Sequence, residues 1–224
     1  MIRGFGQPEF LYLLAAARWT VLLSLVGFLG GGVLGLVLAA MRVSASRPAR
    51  WAAAGWIGLF QSIPLLMLLF LVFFGLALYG LDQDPYVAVT AALSLYAGAY
   101  FGEIWRGALQ AVPRGQIEGA TALGLRPLQR FRLVIAPQAV RLAVPPTVGF
   151  MVQVVKNTSL ASIIGFTELT QAAQFVNNLT FRPIQVYCVA GAIYFCLCFP
   201  LTWLAGRLEE RLHTRQGGRT GMQA

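Results

Sequence analysis

The chain has 224 residues, a hydrophobic share of 58% and a charged share of only 11%. That is too little polar surface to cover a water-soluble domain of this size, and it points to a bilayer as solvent. Seventeen Lys+Arg stand against eight Asp+Glu, for a formal net charge of +9, and the placement of those cations decides between nucleic-acid binding and membrane topology.

At the amino end, Arg3 precedes an apolar run over residues 10–17. No small-residue cleavage site closes that run and apolar character resumes at Trp19, so residues 1–18 read as an uncleaved periplasmic approach to a first span. Membrane spans are predicted over residues 19–41, 51–79, 86–111, 146–166 and 184–206. Each is long enough to cross a hydrocarbon core of about 30 Å at about 1.5 Å per residue. Gly27, Gly31 and Gly35 give the first span a small-residue face on which another helix backbone can come close. The fourth span is interrupted by Lys156, Asn157, Thr158 and Ser159. The fifth holds Cys188, Cys196 and Cys198, and with the single histidine at His213 they read as small apolar residues of a lipid-embedded helix rather than metal ligands. Residues 213–224 read as a flexible cytoplasmic tail.

Charge placement orients these spans. Thirteen of the seventeen cations fall between spans one and two, at or between spans three and four, or after span five. Arg3, Arg18 and Arg182 lie on the other side, and Lys156 is left at membrane depth. The positive-inside bias then places the N-terminus outside and the C-terminus in the cytoplasm, and the cations mark topology, with no nucleic-acid partner.

The segment after span three is more than a connector. Pro113 and Gly115 break the chain as it leaves the bilayer, a short helix is expected over residues 116–123, and Gly124 stops it. Pro127 then opens a second short helix over residues 127–135. Two short helices bent at a glycine make a protruding shape suited to a groove on another protein.

Three charged residues, Glu103, Arg106 and Lys156, lie inside the spans. Lys156, beside Asn157, Thr158 and Ser159, must face either a partner such as Glu103 or Glu168, or a wet cavity. Glu103 has Arg106 three residues on, so an intrahelical pair explains both, with grip on a substrate amino group as the alternative. Gln61 is a further path candidate. No Gly-x4-Gly-Lys-Ser/Thr loop, metal-ligand cluster or nucleophile–base pair occurs, so the chain is not expected to be an enzyme.

The loop resembles the EAA loop of permease subunits of bacterial ABC importers, with Glu118-Gly119-Ala120, Gly124, Val134, Ala136 and Pro137 at that family's spacing. Gly119, Val134 and Ala136 depart from it as small or apolar exchanges. Phe60-Gln61-Ser62-Ile63-Pro64-Leu65, the stretch from Ala99 to Gly107, Pro137-Gln138-Ala139, Pro145-Pro146 and Lys156-Asn157-Thr158-Ser159-Leu160 are similar to elements of polar amino-acid permeases, with Gln61 where that group has arginine. The resemblance covers roughly residues 11–212. It implies an all-α membrane protein of five transmembrane helices with a cytoplasmic coupling loop over residues 112–137, the type I importer architecture, in a bacterial inner membrane.

That resemblance also implies partners: an ATP-binding cassette subunit, a second permease subunit (a copy or a relative), a periplasmic or lipid-anchored binding protein, and membrane lipid. ATP and Mg belong to the partner ATPase, with no cofactor in this chain. Glu118, Gly119, Ala120, Gly124, Leu125 and Arg126 become the expected ATPase contact, and Lys156, Asn157, Thr158, Ser159, Glu103 and Gln61 the path. The implied function is uptake of amino acids, with a lean to glutamate and aspartate. An importer of another small polar solute and a non-transporting membrane assembly protein stand as alternatives.

Overall fold

The computed structural model describes the backbone of residues 4–220 and the side chains of residues 4–210 and 212. The elements in chain order are α1 (Gln7–Val43), α2 (Arg47–Ser62), α3 (Leu65–Phe70), α4 (Pro85–Gln110), α5 (Arg114–Ala122), α6 (Pro127–Arg130), α7 (Ala136–Asn157), α8 (Leu169–Thr180) and α9 (Pro183–Thr220). α3 and α6 each run on through a widened π turn, Leu71–Gly75 and Phe131–Ile135, and α7 ends in a tighter 3-10 turn, Thr158–Ile164. Four of these stretches are long and apolar enough to cross a membrane: Gln7–Val43, Pro85–Gln110, Pro127–Ile164 and Pro183–Glu210. α2 and α3, bent by 101° at their junction, supply a fifth if counted as one broken span.

That bend corrects the expectation of one span over residues 51–79. Pro64 has no N–H for the helical ladder and forces the residue before it out of the helical region, and Ile63 is extended at φ −90° and ψ 126°. The fourth span differs too. It begins in the loop itself, because α6, its π turn and α7 form one run, and Pro145 and Pro146 lie inside α7 rather than at its start. The Thr147 hydroxyl donates to Ala143 O at 2.6 Å beside those prolines, the kind of side-chain bond that lets a membrane helix carry them. The first helix starts at Gln7, where the Glu9 carboxylate accepts from Gly6 N at 2.9 Å, so most of the stretch expected as an approach is already helical. At the other end α9 continues to Thr220, and the remainder of the expected tail, residues 221–224, lies outside the described residues.

The glycine face of α1 packs against α4. A Cβ built on Gly31 would stand 2.5 Å from Ala97 Cβ, one on Gly35 would stand 2.6 Å from Phe101 Cβ, and one on Gly27 would stand 3.0 Å from Leu93 Cβ. Those partners recur every four residues along α4, so rows with the same spacing on the two helices interlock. Gly98 and Gly102 of α4 reciprocate by receiving Leu34 and Leu38 of α1. In lipid, where burial adds little, this close dispersion contact is what joins helices.

A second core ties the start of α1 to α8 and α9. Leu13, Ala16 and Ala17 of α1 meet Leu169, Ala172 and Val176 of α8 and Val186 of α9. The opposite faces of α1 and α9 stay bare, with Leu29 at 64%, Val33 at 70% and Phe195 at 62% exposure, as lipid-facing helices require.

Candidate functional site

The loop hairpin is built from local rules. Pro113 caps α5, which ends at Ala122 with Leu123 as its C-cap, and Gly124 takes the left-handed conformation at φ +74°. Leu125 N then donates to Ala120 O at 3.2 Å and Gly124 N to Thr121 O at 2.9 Å, the bond pair of a Schellman stop. On the second limb, Pro127 occupies the first turn of α6, and Gln129 Oε1 accepts from Arg126 N at 3.0 Å.

A side-chain bond closes the hairpin: Arg130 Nη1 donates to Thr121 Oγ1 at 2.7 Å, while that hydroxyl donates to Ile117 O at 2.8 Å. Ala120 is buried against the second limb. Glu118, Gly119, Gly124 and Arg126 are exposed and Leu125 is half-buried, so the expected contact residues form one protruding unit, apart from Ala120. Leu123 follows Ile117 and Ala120 at spacings of three. It is 81% exposed, beside the helix stop at Gly124.

The path candidates are not brought together. Arg106 holds the Glu103 carboxylate with two bonds, one of them Nε to Oε2 at 2.8 Å, and Arg42 Nη2 lies 3.9 Å from it. Gln61 Nε2 donates to Ala99 O at 3.3 Å, one turn of α4 before Glu103. Trp105 Nε1 donates to Thr147 Oγ1 at 3.0 Å and sets the register of α4 against α7. Lys156 is nine residues beyond Thr147, about 14 Å along the axis, which is too far to pair with Glu103.

Glu168 is also taken, so Lys156 has no ion pair among the described residues and is exposed. Thr158 and Ser159 turn their hydroxyls back to Val155 O and Lys156 O at 2.8 and 2.7 Å. Asn157 Oδ1 accepts from Gln153 Nε2 at 3.0 Å, while its buried Nδ2 has no hydrogen-bond partner.

Two features escaped the sequence reading. Tyr96 and Tyr100 of α4 stack with Phe150 of α7, the Tyr100–Phe150 rings 4.8 Å apart, and the Tyr96 hydroxyl comes close to Asn157. Aromatic residues at an i, i+4 interval on one helix were the available signal. The other is the setting of Glu168, named from the sequence only as a candidate partner of Lys156 and fully buried at the start of α8. Its carboxylate accepts from Thr170 N at 2.9 Å, Gln171 N at 3.0 Å, the Tyr194 hydroxyl at 2.8 Å and, more weakly, the Thr20 hydroxyl at 3.4 Å. Burial pushes its protonation up from the ordinary value of 4.5, and those donors oppose the shift. The apolar spacing Leu169, Ala172, Ala173, Val176 after an acidic cap was the helix signal.

The family described as "Binding-protein-dependent transport system inner membrane component" matches residues 31–214. The chain belongs to that family. The permease is 35% identical over 203 residues to the probable amino-acid ABC transporter permease protein YckA of Bacillus subtilis, covering 91% of this chain and 90% of that one. It is 35% identical over 219 residues to the nopaline transport system permease protein NocM of Agrobacterium fabrum, covering 93% and 91%. With the glutamine transport system permease protein GlnP of Escherichia coli it shares 30% over 207 residues, covering 92% and 94%. Its fold superposes on the crystal structure of an amino acid ABC transporter with histidines at a TM-score of 0.84 and 30% identity, over 89% and 94% of the two chains. The MetNI methionine ABC transporter, inward facing, shares the fold at a TM-score of 0.74 and 20% identity, over 91% and 97%. The permease is thus a multi-pass inner-membrane subunit of a transport system, and the five-helix architecture read from its sequence stands.

Proposed function

We propose that the permease is the path-forming subunit of an ATP-driven amino-acid importer and that the hairpin from Arg114 to Arg130 receives the motion of a separate ATPase subunit. The observation that supports this best is continuity: α6 passes through its π turn into α7 without a break, so a push on the hairpin is delivered along the helix that ends at Lys156 and Asn157. The hairpin is stiff enough to transmit it, because the stop at Gly124 and the Arg130–Thr121 bond fix both limbs. ATP and Mg act on the partner. A second permease subunit completes the path, an external binding protein delivers the solute, and the N-terminus lies outside with the loop in the cytoplasm.

Amino acids are supported as cargo by the relatives' names, which include glutamine and nopaline systems. Among them we favour the acidic pair, glutamate and aspartate. Lys156 is exposed at a membrane helix end with no ion pair among the described residues, while Glu103 is held by Arg106. A lone cation at that depth favours an anionic solute.

Uptake of labelled amino acids in a strain lacking this permease, restored with the wild type or with Lys156→Gln, tests both levels. Glutamate and aspartate uptake restored by the wild type and cut at least tenfold by Lys156→Gln is expected. Uptake of a neutral or basic amino acid alone would overturn the acidic reading, and no amino-acid uptake at all would overturn the broader one.

A further inference from the structure

Tyr194 of α9 stands where two cores meet. Its ring packs against the core that joins α1, α8 and α9. With Leu197 and Leu201 it also packs against the cluster of Val152, Val155 and Cys198 between α7 and α9. Tyr194, Leu197, Cys198 and Leu201 recur at spacings of three and four, so they form one stripe of α9 against the last turns of α7. A phenylalanine ring would fill such a place. A phenol buried there must also find a partner for its hydroxyl.

That partner is Glu168, and its two oxygens serve different ends. Oε1 accepts from Thr170 N and Gln171 N, which is all that capping α8 requires. Oε2 accepts from the Tyr194 hydroxyl at 2.8 Å and, more weakly, from the Thr20 hydroxyl at 3.4 Å, so it reaches α9 and α1. Glu168 has no ion pair among the described residues, and these hydroxyls are what satisfies its second oxygen.

The same phenol touches both ends of the connector that follows α7. Thr158 comes close to its hydroxyl at the start of that connector, and Glu168 bonds it at the end, with Thr170 Oγ1 at 3.0 Å. Lys156 and Asn157 immediately precede Thr158. The end of α7 is therefore tied to α9 by apolar contact on one side and by one hydroxyl on the other.

We propose that Tyr194, through Oε2 of Glu168, is a positioning residue for solute passage: it fixes the Lys156–Asn157 end of α7, where a push on the hairpin arrives. The consequence for passage rests on the transport reading. The tie itself does not.

Hydrogen exchange of the purified full chain, beside uptake by the assembled transporter in proteoliposomes, tests it. Tyr194→Phe keeps the ring in both cores and removes only the hydroxyl. Glu168→Gln keeps an oxygen for the α8 cap and puts a donor where Oε2 stood. In each variant the amides of residues 153–164 are expected to exchange roughly fivefold faster, while those of residues 88–102, on the seam of α1 with α4, stay as in the wild type. Uptake should fall roughly fivefold in Tyr194→Phe, and adding that change to Lys156→Gln should cost nothing further, because both act at the same end of α7. A residue that only stabilises the fold would speed exchange in both segments and multiply the loss caused by Lys156→Gln. Unchanged exchange over residues 153–164, equal acceleration in both segments, or a multiplied loss in the double variant would each overturn the proposal. No amino-acid uptake by the wild type, with the local exchange response present, would count against the transport reading alone.

Discussion

Arg130 reaches back across the bend at Gly124 to donate to Thr121 Oγ1 at 2.7 Å, and so joins the two limbs of the loop by one charge-assisted bond. The consequence is mechanical. Without that bond the hairpin should swing on its glycine. Arg130→Ala and Thr121→Val should therefore lower uptake severalfold while leaving the amount of inserted protein unchanged. The double variant should be no worse than either single one, because both remove the same bond. Uptake per inserted molecule, measured in vesicles, checks this.

Gly119 carries no such strain. No atom lies within 4 Å of a Cβ built there, and the residue is helical at ordinary φ. Gly119→Ala should stiffen α5 by up to about 1 kcal/mol and leave coupling intact or improved. Thermal unfolding in detergent and uptake in vesicles read the two halves of that expectation.

The contact of α1 with α4 leaves no such room. Gly31→Val and Gly35→Val put a branched side chain where Ala97 and Phe101 already stand within 2.6 Å of a bare Cβ. Moving the helices apart forfeits dispersion contacts along the whole seam. Each variant should insert but aggregate on extraction, whereas Gly55→Ala, in open space on α2, should behave as the wild type. Gel filtration after solubilisation separates these outcomes.

Glu168 links stability to pH. Burial raises its folded-state protonation above the ordinary 4.5, so the folded protein binds the proton more tightly than the unfolded chain does. Its contribution is fully present below about pH 4.5 and is lost as pH rises through the shifted value. The melting temperature of the wild type should fall across that window relative to Glu168→Gln, whose neutral amide has no such dependence. Melting curves of both proteins from pH 4 to pH 8 check the slope, and parallel curves would contradict the assignment.

Much of this was legible in the sequence because its causes are local. The positive φ at Gly124 and the proline opening α6 follow from residue type alone, and so does the Glu103–Arg106 pair three residues apart. The glycine stripe of α1 announced a close helix contact, though only the structure names α4 as the partner. Other features were hidden for physical reasons. A proline marks a discontinuity without its angle, so the bend at Pro64 and the uninterrupted course through Pro145 and Pro146 look alike on paper. The register of α4 against α7, fixed by Trp105 and Thr147, is what separates Glu103 from Lys156, and no spacing within one helix contains it. Glu168 reads in the sequence only as a possible partner of Lys156, and its bonds to Thr20 and Tyr194 come from distant parts of the chain.

The central claim is that the hairpin couples a partner's ATP hydrolysis to movement of α7. It is tested most directly by uptake and ATP hydrolysis of the assembled transporter in proteoliposomes, with Glu118→Lys and Gly124→Asp beside the wild type. Gly124 sits at φ +74°, where a side chain is strained, and Glu118 is exposed on the hairpin. Both variants are predicted to insert normally and to lose uptake at least a hundredfold, with ATP hydrolysis no longer stimulated by loaded binding protein. Undiminished uptake by both would contradict the coupling role of the loop.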